Sequence, residues 1–447
     1  MIHSFQRRKK RIIVDTYSGS VHIVDKDTQQ AIELIDQLKS IDQAKEKLGD
    51  DYKEIFEEIE LLIDQKLLFS KDSYKDLSLD LRKRPSHIKA LCLNVAHTCN
   101  LSCDYCFASQ GKYKGERALM SWEVAKKSID FLLHESKNHH HLDIDFFGGE
   151  PLMNWDLVKE TVFYAKSLEE EYDKKFRFTL TTNGILLDDE KIDFLNQYMD
   201  NVVLSLDGRK EIHDQLRRTI NDQGSYDIIV PKFQKFIEKR GDREYYIRGT
   251  YTRNNLDFFQ DIKHMADLGF SSLSMEPVIG DPSEDYMLTM DDLDRLLDEY
   301  DKLADYMIKR NKQKKPITFY HFMLNLEEGP CIYKRISGCG AGTEYMAVVP
   351  NGDLYPCHQF AGEDEFLMGN VFTGIDNEKL GQDFKECNCY SREECQDCWA
   401  KLYCSGGCSA NAYHYGKNLK STIPLSCELF KKRMECALDI KAEELDR

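Results

Sequence analysis

The sequence predicts an α/β protein built on a parallel sheet, with a smaller unit ahead of it and a cysteine-rich unit behind. Three observations carry this. Between residues 89 and 311, strand-like runs alternate six times with helix-like periodic segments, the pattern of crossover-connected parallel strands. The first strand-like run leads into Cys99-Asn-Leu-Ser-Cys103-Asp-Tyr-Cys106. Eleven of the fifteen cysteines then lie after residue 330, the other four falling between 92 and 106.

The totals bound what such a chain can do. Its 447 residues suffice for two to four domains with a real core. Sixty-one basic against 78 acidic residues leave a net charge of −17, which disfavours nonspecific nucleic-acid binding and anionic membranes. No apolar run approaches the roughly 20 residues that span a bilayer. Met1-Ile-His-Ser-Phe-Gln-Arg-Arg-Lys-Lys-Arg11 lacks the apolar centre of a secretory signal, so the chain reads as cytoplasmic. In a reducing compartment, fifteen cysteines speak for metal ligation or catalysis rather than disulfides.

Residues 1–75 form a small α/β unit in this reading. Arg11–Asp15 and Val21–Asp25 are two short strands joined by Tyr17-Ser-Gly-Ser20, which supplies hairpin-turn chemistry. Asp25 can cap a helix carrying Ala31, Ile32, Ile35 and Leu38 on one face. A second helix spans about 41–48 and ends at Gly49, and a third presents Ile55, Ile59, Leu62 and Ile63. A hairpin followed by three helices resembles the PqqD-like peptide-recognition element, a winged-helix relative. The resemblance implies that a leader peptide adds as a strand to the open hairpin edge, taking affinity from main-chain hydrogen bonds. An accessory domain or a nucleic-acid-binding winged helix is the alternative; the basic run Arg7–Arg11 is read as solvated. Residues 76–88, with Arg82-Lys-Arg-Pro85, read as a polar linker.

The six strands are expected at 89–97, 141–147, 175–182, 201–206, 243–252 and 270–277. Helices are expected at 121–135, 154–172, 187–198, 225–240, 255–268 and 290–311. Chemistry in such folds gathers at the C-terminal ends of strands. Three thiolates spaced as Cys99, Cys103 and Cys106 can wrap one face of a [4Fe–4S] cube, leaving one iron free; a zinc site is the alternative. Strand two ends in Gly148-Gly149-Glu150-Pro151, where glycines permit close backbone approach to a ligand and Glu150 can help bind an ammonium. Strand three ends in the turn residues Thr182-Asn183-Gly184. Strand four, Val203-Leu-Ser205-Leu-Asp207, places Ser205 and Asp207 on one side, suited to ribose hydroxyls. Arg248 and Glu276 on strands five and six either face a ligand or close the ring as an ion pair.

The CxxxCxxC loop resembles the signature of the radical S-adenosylmethionine (SAM) superfamily. That resemblance implies a partial (β/α)6 barrel over 89–315, with SAM chelated by the free iron. It further implies that Gly148, Gly149, Glu150 and Pro151 hold the SAM amino group, Ser205 and Asp207 its ribose, and Arg217 (or its neighbour Arg218) its carboxylate. After a bridging region at 316–338 comes a second pattern over 339–447. Cys339, twelve residues, Gly352, four residues and Cys357 are followed by Cys395-x2-Cys398-x5-Cys404-x3-Cys408 and, after eighteen more, Cys427. This resembles the SPASM domain and implies two auxiliary [4Fe–4S] clusters, three clusters in all. By that pattern Cys395, Cys398, Cys404 and Cys427 hold one, and Cys339, Cys357 and Cys408 the other. Cys331, Cys387, Cys389 or a substrate thiolate fills its fourth place. A zinc ribbon at 395–408 leaves Cys339 and Cys357 unexplained.

Leader-binding unit, radical SAM core and SPASM tail together resemble the SCIFF maturases, thioether-forming sactisynthases. The implied activity joins cysteine sulfur to a backbone carbon of an acceptor residue in a ribosomally made, cysteine-rich precursor peptide. An external electron donor starts the cycle, and an auxiliary cluster takes the electron released by bond formation. A formylglycine-generating sulfatase maturase or a quinone-cofactor maturase is the alternative, and a zinc-dependent DNA-binding regulator a different class. Anoxically prepared protein should therefore be brown and carry about twelve irons per chain by elemental analysis, whereas a zinc protein is colourless.

Overall fold

The computed structural model describes residues 1–81, 83–326 and 331–445. An antiparallel sheet opens the chain, in the order β1 (Ile2–Arg7), β2 (Lys10–Asp15) and β3 (Val21–Val24). β2 and β3 are the expected hairpin; β1 is additional, its alternation masked by polar and basic residues. Helices α1 (Lys26–Leu38), α2 (Ile41–Leu48) and α3 (Lys53–Asp64) follow. Asp25 caps α1 by accepting from the Thr28 amide at 2.8 Å, and Gly49 closes α2 at φ 79°. Ile13, Ala31, Ile32, Ile35, Phe56 and Ile59 make this unit's own core.

The stretch expected as a linker begins with a helix instead, α4 (Tyr74–Leu81). Tyr74, Leu77 and Leu81 recur at helical spacing and pack against Ile336, Tyr390 and Leu402 of the cysteine-rich part. Arg82 of the expected basic linker lies outside the described residues, as do 327–330 of the bridging region.

Next come β4 (Ala90–His97), β5 (Leu101–Cys103), β6 (His141–Gly148), β7 (Lys175–Thr182), β8 (Asn201–Ser205), β9 (Arg217–Thr219), β10 (Tyr245–Tyr251), β11 (Ser272–Pro277) and β12 (Tyr345–Val348). The six expected strands run parallel in the order β11-β10-β8-β7-β6-β4. β12, from the cysteine-rich part, extends this sheet by pairing parallel to β4 from Tyr345↔Ala90 to Val348↔Leu93. Crossover helices are α5 (Trp122–Glu135), α6 (Trp155–Ser167), α7 (Asp189–Tyr198), α8 (Tyr226–Arg240), α9 (Phe258–Asp267) and α10 (Leu293–Lys312). The long helix α11 (Pro424–Leu445) closes the fold.

Strand alternation sorts the two faces of the sheet. Leu142, Ile144 and Phe146 of β6, with Phe176, Phe178 and Leu180 of β7, are buried in the large apolar core. Asp145, Thr179, Thr181, Ser205, Arg248 and Thr250 alternate with such residues and occupy the opposite face.

The basic run at the N-terminus is not simply solvated. Arg7 is 8% exposed and ion-pairs with Asp301 at 2.8 Å, Asp305 at 3.0 Å and the fully buried Asp439. Arg8 also reaches Asp439, at 2.7 Å. Ile12 and Val14 pack beside them on Leu438 and Ala442, so the first unit docks on α10 and α11. Removing one partner of a buried ion pair strands the other charge. Arg7→Met should accordingly lower the unfolding free energy in urea by about 3 kcal/mol or more, where a solvated arginine would change it by no more than about 0.5 kcal/mol.

Candidate active site

A cavity of about 1,050 Å³ opens where the C-terminal ends of the parallel strands meet the cysteine-rich part and α11. Cys99, Cys103 and Cys106 line it from one side, and Cys395, Cys398, Cys404, Cys408 and Cys427 from the other. Gly148, Gly149, Glu150, Ser205 and Arg217 line it too, whereas Pro151 and Asp207 do not.

The cysteine loop is clamped rather than loose. β5 lies inside it and pairs antiparallel with β9, Cys103 opposite Arg217 and Leu101 opposite Thr219. The Asp104 amide donates to Leu216 O at 3.1 Å. No local signal shows that two three-residue strands over a hundred positions apart will pair.

Gly148 and Gly149 serve this packing. A Cβ on Gly148 would stand 2.4 Å from Ala96 O, and one on Gly149 2.4 Å from Thr98 O. The Gly149 amide instead donates to Ala96 O at 2.8 Å and that of Glu150 to Thr98 O at 3.0 Å, so β6 continues onto the cysteine loop. The tight approach that these glycines permit is one of backbone to backbone, at a cavity wall that both residues line. Pro151 begins a short helical turn, Pro151–Asn154, and is buried behind the cavity wall.

Glu150 is anchored by the protein itself. Its carboxylate is fully buried and accepts from Leu152 N (3.0 Å), Thr182 Oγ1 (2.8 Å) and Asn183 N (2.8 Å), tying the ends of β6 and β7 together. Burial pushes its pKa up to about 7, against the opposing pull of those donors. Asn183 in turn donates to Asn100 Oδ1 at 2.8 Å and approaches Cys99 Sγ at 3.6 Å, so the weak Thr-Asn-Gly signal marks a residue of the site.

Asp207 departs from expectation. Instead of facing a ligand beside Ser205, it is 0% exposed and spent on protein donors: Tyr105 OH at 2.6 Å, Arg217 Nε at 2.9 Å and Thr250 N at 3.0 Å. Tyr105 lies between Cys103 and Cys106, and the Arg217 guanidinium stacks over its ring at 5.4 Å. Of the two adjacent arginines, Arg217 is the one at the cavity. Arg218 pairs outward with Asp222 at 2.9 Å and Asp104 at 3.3 Å.

Each perturbed thiol is raised by burial and then by particular neighbouring cysteines. Burial, then Glu150 and further on Cys106, pushes Cys99 up to about 12; burial, opposed by Arg217 and reinforced by Cys106 and Cys99, does the same to Cys103. Burial and then Cys427, Cys395 and Cys398 push Cys404 up to about 12. Cys357 is raised by burial and then by Cys408 and Cys339. A triad, a tetrad and a second triad emerge. Among the described residues no three His, Cys, Asp or Glu side chains form a site for a single metal ion. The donor set is all-thiol, and a buried amide donor without a partner flanks it, Asn100 Nδ2 beside Cys99. Such chemistry fits iron–sulfur ligation, in which amide donors to sulfur tune the cluster.

Of the candidates for the second triad's fourth place, Cys389 is raised by burial and then by Cys395, so it neighbours the tetrad. Cys387 donates to Asp383 O at 3.2 Å, and Cys331 is exposed. Cys92, which spacing did not single out, is raised by burial, Asp145 and Cys357, while Tyr345 and Asn94 engage its sulfur.

Residues 93–268 match the radical SAM superfamily model. The mycofactocin maturase MftC of Mycolicibacterium smegmatis is 28% identical over 346 residues, 75% of this chain and 82% of that protein. Among solved structures, native anSMEcpe with bound AdoMet and Kp18Cys peptide superposes with a TM-score of 0.66 at 22% identity, over 79% of this chain and 99% of the other. SuiB of Streptococcus suis bound to precursor peptide SuiA gives 0.53 at 17%, over 94% and 98%. The radical SAM match over residues 93–268 implies a [4Fe–4S] cluster and SAM. The chain's relatives include enzymes that mature peptides. Among the described residues no helix is long and apolar enough to cross a membrane.

Two outcomes follow from the anchors. Asp207→Asn should lower unfolding free energy by about 3 kcal/mol, since it removes the fully buried charge that holds the partly buried Arg217, while Ser205→Ala stays within about 0.5 kcal/mol; the reverse order would restore Asp207 as a ligand contact. Glu150 binds its proton more tightly in the fold than at its ordinary value of 4.5. It therefore withdraws stability as pH rises from about 4.5 to about 7, and Glu150→Gln should flatten that slope in pH-dependent urea titrations.

Proposed function

We propose that this enzyme installs cysteine thioether cross-links in a ribosomally made, cysteine-rich peptide, with three clusters held by Cys99/Cys103/Cys106, Cys395/Cys398/Cys404/Cys427 and Cys339/Cys357/Cys408. The observation that carries the reading is the second triad: Cys357 is raised by burial and then by Cys408 and Cys339, and Cys408 opens onto the same cavity as the CxxxCxxC loop. Metal ligation favours thiolate, so a triad one ligand short suits capture of a substrate cysteine sulfur.

The bound groups supply, when present, a hydrogen-abstracting radical and a sink for the electron released as the carbon–sulfur bond forms. The protein's own part is positional. Asp207 and the β5–β9 pairing hold the cysteine loop, and Arg217 sets a positive charge at its edge. Residues 1–75 would hold the leader, and among the described residues no strand pairs with the outer edge of β3. A leader unit of this kind is not needed by a sulfatase maturase, and this favours a peptide substrate over a folded one.

The test combines anoxic enzyme, SAM, reductant and a cysteine-rich precursor peptide, read by mass spectrometry. Product should be lighter by two hydrogens per cross-link. Loss of sulfur from cysteine would favour formylglycine formation instead, and unchanged peptide beside deoxyadenosine would overturn the proposal. Cys408→Ala should keep peptide-independent SAM cleavage and lose the cross-linked product.

A further inference from the structure

Arg248 lies on the polar face of the sheet, beside Ser205 of β8 and Ser274 of β11 in register. It lines the cavity and is exposed to it. Among the described residues, no hydrogen bond or ion pair engages its guanidinium. A second guanidinium reaches the same cavity from α11. Arg433 is 8% exposed; its Nε donates to Tyr300 OH at 2.8 Å, while its Nη2 is buried with no partner.

The neighbouring acid does not consume both arginines. Glu276 stands 3.3 Å from His321 Nε2 and 3.9 Å from Arg433 Nη1. Burial raises its carboxyl, but His321, Arg433 and Arg248 together hold it below the ordinary carboxylate value. Burial and then Arg433 push His321 down to about 3, against the opposing pull of Glu276. Two positive charges therefore face one negative charge, a surplus that matches a monoanion. Guanidinium groups pair best with planar carboxylates, through parallel N–H···O bonds.

We propose that Arg248, with the free Nη2 of Arg433, is a subsite for one carboxylate of the peptide substrate, from an Asp or Glu side chain or from the peptide C-terminus. The proposal deepens the peptide-maturation reading and rests on it. It gives the cavity a charge preference: the segment brought to the cysteine loop carries an acidic group near the reacting residue.

The test uses the cluster-loaded full chain without reductant and three acetylated cysteine-containing hexapeptides. One carries Asp and an amidated end, one Asn and a free carboxylate, and one Asn and an amidated end. Fluorescence anisotropy should show at least one anionic peptide binding about tenfold or more tightly than the neutral one. Arg248→Met should erase that difference, Arg248→Lys should recover part of it, and SAM affinity should not move in either variant. The preferred anionic peptide tells which source of carboxylate is read. Equal affinity for all three, or no binding of any, overturns the subsite and leaves the peptide reading standing, since the hexapeptides carry no leader for residues 1–75. Weaker SAM binding in Arg248→Met overturns the subsite by assigning the arginine to SAM.

Discussion

The buried carboxylate of Asp207 is the constraint on which the site depends. It gathers a tyrosine from the cysteine loop, an arginine from β9 and a backbone amide from β10 at one point with no access to water. A charge so placed is tolerable only with its partners in position, and each partner is thereby fixed. Because Tyr105 separates Cys103 from Cys106, fixing its hydroxyl sets where two thiols point. The β5–β9 pairing fixes the rest of the loop, and Glu150 locks the next two strand ends behind it. The loop that must present three sulfurs is thus built into the sheet.

The opposite wall of the cavity is joined to the N-terminal unit. His3 of β1 stacks on Trp399 at 3.9 Å with the rings 3° apart, between Cys398 and Cys404. Lys401, 2% exposed, lies over the rings of Tyr17 and Tyr390 and pairs with Asp72 at 3.6 Å. Its ammonium is satisfied by π-faces and a carboxylate instead of water. Together with the Arg7–Asp439 pair, these contacts make residues 1–75 part of the wall that carries the cysteine tetrad.

The glycines show how a correct motif can conceal its physical reason. Gly148 and Gly149 are required where they stand, and what a side chain would strike is the carbonyl of Ala96 or Thr98. Asp207 is similar, a polar residue at a strand end whose neighbours come from Tyr105, Arg217 and Thr250. Type and spacing identified the positions. The partners were hidden because they arrive from distant sequence.

What the sequence alone determined is whatever depends on local period and spacing. The six parallel strands and their helices follow from apolar runs alternating with 3.6-residue patterns, and the first thiol triad follows from its short cysteine intervals, whereas the interleaving of the later seven cysteines is implied only by the SPASM resemblance. The cap at Asp25 and the stop at Gly49 are equally local. The tertiary structure alone decided which charges are buried together. Arg7 left solvent for Asp439, α4 formed because Tyr74, Leu77 and Leu81 found an apolar surface, and Arg217 rather than Arg218 turned to the cavity. Each of these outcomes is set by desolvation against a partner tens to hundreds of residues away, a term that no window of sequence contains.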